Sequence, residues 1–456
     1  MYWFLPCMML CAFVIRGKSK NLILLLFSLF FYAWGEPVYI VLMMASILLG
    51  YIEGLFIARV EPGKKRKIIL FLSCAVHVCL LAYFKYAGFL TENLHALGMP
   101  IKVLKIALPI GISFYTFQIL GYLVDVYRGI CKPQKDIIAF GAYISMFPQL
   151  IAGPIVRYTD IEKELVNRQV DVSDVSAGIR RFVLGLGKKV LLANALGEFC
   201  MLYKTSTDVS VLYTWLYAGV YALHVYYDFS GYSDMAIGLG RILGFHFMEN
   251  FNYPFISKTI AEFWRRWHIS LGSWFRDYVY IPLGGNRVSF LRWIFNILVV
   301  WSLTGLWHGA AWNFVVWGLL FAICLVIEKV CLGKWFANHP LCGHVYTFVV
   351  LAVSFVIFDA SSISEAWTRI MIMFTGNGMP LFTKETGYYL QSFAVTIIMA
   401  CIGAGPWLKQ NIDKWHKKKI GKILLVLEPI ILLGILVLAT SCLVHDSYNP
   451  FLYFRF

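Results

Sequence analysis

The feature that most constrains this chain is the run "WIFNILVVWSLTGLWHGAAWNFVVWGLLFAICLVI" from Trp293 to Ile327. Across its 35 residues His308 is the one histidine, lysine, arginine or carboxylate. As a single helix rising 1.5 Å per residue it would be about 52 Å long. A bilayer offers a hydrocarbon core of only about 30 Å. Two helices with a break near Gly305–Gly309 fit better, and His308 sits at that break.

Comparable apolar runs recur from Tyr2–Ile15 to Ile423–Leu443, among them Ile106–Val126, Ile137–Ile155, Phe182–Leu202 and Val211–Phe229. They are helical in length rather than short and alternating, which argues against a transmembrane β-barrel. Of the 456 residues 60% are hydrophobic and 14% charged, against about 25% charged in a soluble domain. The expectation is an all-α polytopic membrane protein with about eleven to thirteen spans. No internal repeat or low-complexity linker divides it, so residues 1–456 read as a single membrane domain.

The net charge of +15 is concentrated in short loops: "RGKSK" (Arg16–Lys20), "KKRK" (Lys64–Lys67) and "KQNIDKWHKKKIGK" (Lys409–Lys422). Positive loops stay cytoplasmic, which places the N-terminus outside. Topology explains the charge without a nucleic-acid partner. The eleven cysteines form no CxxC pair, and the first apolar run lacks the basic start of a cleavable signal.

Three further segments carry polar residues where lipid would not tolerate them. "LPIGISFYTFQILGYLVDVYRG" (Leu108–Gly129) reads as a helix facing a bundle interior. "FPQLIAGPIVRY" (Phe147–Tyr158) holds two prolines and a glycine, so a continuous helix is disfavoured. It reads as a re-entrant turn, a cavity wall or a helix end. Tyr226–Arg287 is too polar to span and rich in aromatics, which suits short interfacial helices. Asp228, Ser230, Ser233 and Asp234 are candidates for a wet cavity, and "PLGGNR" is a turn by composition.

A buried imidazole stays neutral near pH 7 and is a competent general base. It can take the proton of an alcohol attacking an activated carbonyl. No GxSxG elbow, Walker loop, HExxH signature or other metal motif accompanies His308. The bland reading is a core histidine bonded to a carbonyl. His268, in "FWRRWHISLGSWF", is the second candidate, while His77 and His224 lie in spans without a polar neighbourhood. Trp307, Asn313, Arg276 and Asp277 complete the candidate set with Asp228 and Asp234. Lys188 and Lys189 are basic residues suited either to topology or to the phosphates of a coenzyme.

The motifs "FPQLIAGPIVRY", "YYDFSGYSDMAIGLGRILGF", "NFNYPF", "FWRRWHISLGSWFRDYVYIPLGGNR", "LTGLWHGAAWNF" and "SYNPFLYFRF" occur in this order along nearly the whole chain. In them the sequence resembles the membrane-bound O-acyltransferase family, in the branch that acetylates alginate and other secreted polysaccharides. The resemblance implies a ring of spans with re-entrant and interfacial helices around a central tunnel. It matches His308 to the family's invariant histidine and His268 to its second polar position. It also implies acetyl-CoA as donor substrate, with no bound cofactor, and a polysaccharide acceptor. An extracytoplasmic SGNH-like partner protein and a bacterial cytoplasmic membrane location follow from the same resemblance.

Two alternatives stay open. One is D-alanyl transfer from a carrier-protein thioester to teichoic acid, in a related branch. The other is a secondary transporter or lipid flippase, which broken helices and intramembrane ionisable groups also fit.

Overall fold

The computed structural model describes residues 3–445 except 16, 18 and 419, so the terminal "SYNPFLYFRF" lies outside the described residues. All regular structure among them is helical. Among the described residues, seven helices are long and apolar enough to cross a membrane: Ile40–Arg59, Lys64–Ala96, Phe290–His308, Trp312–Asn338, Pro340–Asp359, Lys384–Gly403 and Gly421–His445. Phe4–Val14 and Ser19–Gly35 are shorter apolar helices. Their exposed leucines, isoleucines and valines suit a lipid surround. This is a polytopic membrane protein. Other sequence-read spans are shortened or interrupted. Ile137–Ile155 contains only the helix Ile137–Ser145, and Phe182–Leu202 is broken by a π-helical turn at Lys188–Ala193.

The chain divides into two compact units, one comprising 1–182 and 236–249 and the other 183–235 and 250–456. In the first, the helix Ile112–Arg128 is buried along almost its whole length. Small residues let a neighbour approach it: a Cβ at Gly54 would lie 2.6 Å from the Tyr122 ring. Residues 146–157 are non-helical, and all but Ile151 and Arg157 are buried. Broken backbone is tolerable there because side chains satisfy it. The Tyr143 hydroxyl donates to the Val156 carbonyl at 3.1 Å, and Gln149 Nε2 donates to the Tyr143 carbonyl at 3.1 Å. In this unit His77 has the polar neighbour that the sequence did not reveal, since its Nε2 lies 2.9 Å from Glu53 Oε2.

In the second unit the Trp293–Ile327 run folds as a hairpin of two helices, Phe290–His308 and Trp312–Ile327. The break falls at residues 309–311, directly after His308. Glycines on both strands of the hairpin make it tight. A Cβ at Gly305 would sit 2.3 Å from the Phe314 carbonyl oxygen, and one at Gly318 2.4 Å from that of Trp301. Val211–Phe229 continues as one helix to Ile242, so the first part of Tyr226–Arg287 is not a set of short helices. The glycines that argue against a helix by propensity serve packing instead: a Cβ at Gly231 would lie 2.8 Å from the Gly185 carbonyl oxygen. Short helices do follow at Ile260–Arg266 and Ile269–Phe275. The expected turn at "PLGGNR" is present, with Gly284 and Gly285 at φ +105° and +57°.

Candidate active site

His308 is the last residue of its helix and is 6% exposed. Aromatic rings meet its imidazole edge to face: Trp317 at 4.9 Å, Trp307 at 5.0 Å and Phe358 at 5.4 Å between centroids. Such packing fixes a side chain's orientation without offering it a charge partner.

His268 caps the helix Ile269–Phe275 with a left-handed backbone, φ +46°, which few non-glycine residues adopt. It is 1% exposed. Its ring lies 4.6 Å from Phe229 and 5.7 Å from Trp307, so Trp307 touches both histidines. Asn250 holds this corner. Its Oδ1 accepts from the Ser270 amide at 3.2 Å and the Ser270 hydroxyl at 2.9 Å, and lies 3.2 Å from His268 Nδ1. Its Nδ2 donates to Ser233 Oγ at 3.2 Å, which fixes the amide orientation. With an acceptor facing Nδ1, the neutral His268 carries its proton there and keeps a lone pair on Nε2. Burial, and secondarily the neighbouring His308, hold His268 well below the usual imidazole range.

Beside His308 lies a cavity of about 30 Å³. That volume holds about two water-sized groups. Its walls are mainly aromatic and aliphatic, including Phe229, Trp264, Trp317, Phe321 and Phe358. The carboxylate residue in the wall is Asp228. Lys189 reaches Asp228 at 2.5 Å, with side chains 6% and 2% exposed, and Lys188 reaches Asp234 at 2.6 Å. The glycine contact between Gly185 and Gly231 and the π turn after it bring both lysines to these carboxylates. Both lysines are therefore engaged in ion pairs.

The structure brings His308, Asp228 and the aromatic walls together, with His268 and Trp307 adjoining them. Asp234, Asn313, Arg276 and Asp277 do not line the cavity. Asn313 Nδ2 donates to the Ala360 carbonyl at 3.0 Å and ties two helix ends together. Arg276 pairs with Asp277 at 2.7 Å with its side chain 61% exposed. Among the described residues, no cluster of three His, Cys, Asp or Glu side chains is arranged to hold a metal ion.

Sequence reasoning missed several residues here. His224 has polar surroundings after all: its Nδ1 donates to the Ala193 carbonyl at 2.7 Å, and Asp228 is one helical turn away. The i, i+4 spacing of His224 and Asp228 was the available signal. Trp264 and Trp317 were hidden among many tryptophans. Both line the cavity, and the Nε1 of each is enclosed with no acceptor in reach among the described residues.

Comparison with known proteins gives the same direction. The profile described as MBOAT, membrane-bound O-acyltransferase family, matches residues 133–341. A probable alginate O-acetylase of Pseudomonas aeruginosa is 41% identical over 387 residues, covering 82% of this chain and 74% of the relative. A peptidoglycan O-acetyltransferase of Helicobacter pylori is 33% identical, covering 88% and 83%. A teichoic acid D-alanyltransferase of Bacillus subtilis is 32% identical over 50% of this chain and 60% of its own length.

Proposed function

This chain belongs to the membrane-bound O-acyltransferase family and is an O-acyltransferase; on that premise we propose that it moves acetyl groups from cytoplasmic acetyl-CoA to an extracytoplasmic glycan. The glycan hydroxyl is the nucleophile, and His308 is the general base that takes its proton. His268, oriented by Asn250, keeps a second neutral imidazole beside the reaction. The observation that carries the reading is the small, aromatic-walled cavity against His308. A thioester is activated enough for direct transfer to a hydroxyl, so no nucleotide site is needed.

The cavity also favours acetyl over D-alanyl. A D-alanyl group brings an ammonium, which is costly to bury beside apolar walls without a counter-charge. The carboxylate in the wall, Asp228, is already held by Lys189. The two-carbon acetyl group fits the volume and needs no counter-ion. The basic loops support a reading in which the N-terminus lies outside a bacterial cytoplasmic membrane, and an SGNH-like extracytoplasmic protein is the expected partner in delivery to the glycan.

The test presents purified full-length protein with labelled acetyl-CoA and, separately, with a D-alanyl carrier thioester. Alginate and peptidoglycan fragments serve as acceptors. Transfer from acetyl-CoA alone supports the reading. Transfer from the D-alanyl thioester alone replaces the donor, and the absence of both returns transport to consideration.

A further inference from the structure

Two tryptophans whose indole N–H groups are enclosed, Trp264 and Trp317, line the cavity beside His308. Trp317 is 4% exposed, and the Trp264 ring meets it edge to face at 5.7 Å. The imidazole of His308 lies 4.9 Å from the Trp317 ring. Neither Nε1 has an acceptor in reach among the described residues. Buried donors left without acceptors are uncommon because each loses its bond to water on folding. The indole of Trp215, in the same unit, does have an acceptor: its Nε1 donates to the Met373 carbonyl at 2.8 Å. Both rings line the cavity, which gives an incoming acceptor its place beside them. Its mainly apolar walls make a charged guest costly to admit and suit a neutral carbonyl.

We propose that Trp264 and Trp317 donate their indole N–H groups to the carbonyl oxygen of the acyl thioester and stabilise the oxyanion formed there. This rests on the acyl-transfer reading given above. In the step, the acceptor hydroxyl oxygen bonds to the carbonyl carbon and its proton passes to His308. The carbonyl electron pair moves onto the oxygen held by the indoles. Collapse restores the carbonyl and breaks the carbon–sulfur bond, and the proton on His308 passes to the departing thiolate. Donors already in place at the developing charge need no reorganisation, which is where such groups gain their effect.

The test uses full-length protein in lipid vesicles with Trp264→Phe and Trp317→Phe, which keep an aromatic ring and delete the donor. Trp301→Phe is the packing control, since Trp301 meets Trp264 edge to face at 4.7 Å between centroids but does not line the cavity. Each donor deletion is expected to lower kcat roughly 10²-fold, within the range for a lost oxyanion donor, at unchanged donor affinity. Trp301→Phe is expected to leave kcat within a few-fold. A second readout is independent of turnover: the infrared carbonyl stretch of a ¹³C-labelled thioester bound to the His308→Ala protein. It is expected at lower frequency than in water and to move back up in both donor deletions. If only the acetyl assignment is wrong, the same indole-dependent shift appears with a D-alanyl pantetheine thioester. A carbonyl frequency indifferent to both indoles with either thioester overturns the proposal, as does equal loss of kcat in all three variants.

Discussion

The chain breaks its helices at two apolar, glycine-bearing places, and they resolve in opposite ways. At 146–157, in the first unit, polar side chains are spent on the broken backbone: Tyr143 and Gln149 donate to carbonyls beside them. At 309–311, in the second unit, glycine contacts bring the two helix backbones of the hairpin close together. Of the polar side chains there, Asn313 donates to the Ala360 carbonyl, while His308, Trp264 and Trp317 line a cavity. A helix break in an apolar run is therefore not in itself a functional mark. What separates the two is where the polar groups around the break are directed.

The largest expected effect falls on the second break. His308→Ala should reduce acyl transfer by about 10²–10⁴-fold, the range for a lost general base, with little change in thermal stability. Steady-state transfer together with a melting curve in detergent checks both halves.

Next comes the ion pair in the cavity wall. Lys189→Met removes the cation paired with buried Asp228, and should cost about 3–5 kcal/mol of stability. The double variant Lys189→Met/Asp228→Leu should recover most of that loss in denaturant titration. Equal instability of the single and double variants would show that packing, not charge, holds this wall.

At the first break, Tyr143→Phe removes one hydrogen bond and should cost about 1 kcal/mol. Transfer per folded molecule should be unchanged. A large fall in turnover would erase the contrast between the two breaks.

The smallest effect concerns pH. His268, outside the spanning helices, has its protonation opposed by burial, so it stays neutral below the ordinary imidazole value of about 6.5. The unfolded chain then binds the extra proton first as the solution is acidified. Stability is retained above about pH 6.5 and eroded below it. His268→Asn should flatten that acid limb.

Membrane class, helical character and the position of the hairpin break were legible because hydrophobic run length and glycine placement act locally. His308 was legible for the same reason, as a lone ionisable group in thirty-five residues. The continuation of Val211–Ile242 was not. Its polar and glycine-rich half reads as interfacial until Gly185 and Gly231 are seen to meet. Asn250, which orients His268 across eighteen residues and a left-handed turn, carries no local signal. Lys188 and Lys189 read as topology or phosphate binders because their carboxylate partners, Asp234 and Asp228, lie some forty residues away. Ion pairing of that kind is a property of packing.

Under the proposed function the 309–311 break is catalytic and the 146–157 break is structural. The most direct measurement is rapid-quench single-turnover transfer from saturating labelled acetyl-CoA, run on wild type, His308→Ala and Tyr143→Phe with donor binding measured separately. All three proteins are expected to bind the donor, Tyr143→Phe to transfer at the wild-type rate and His308→Ala not to transfer on that timescale. Wild-type transfer by His308→Ala would remove the catalytic role of that histidine.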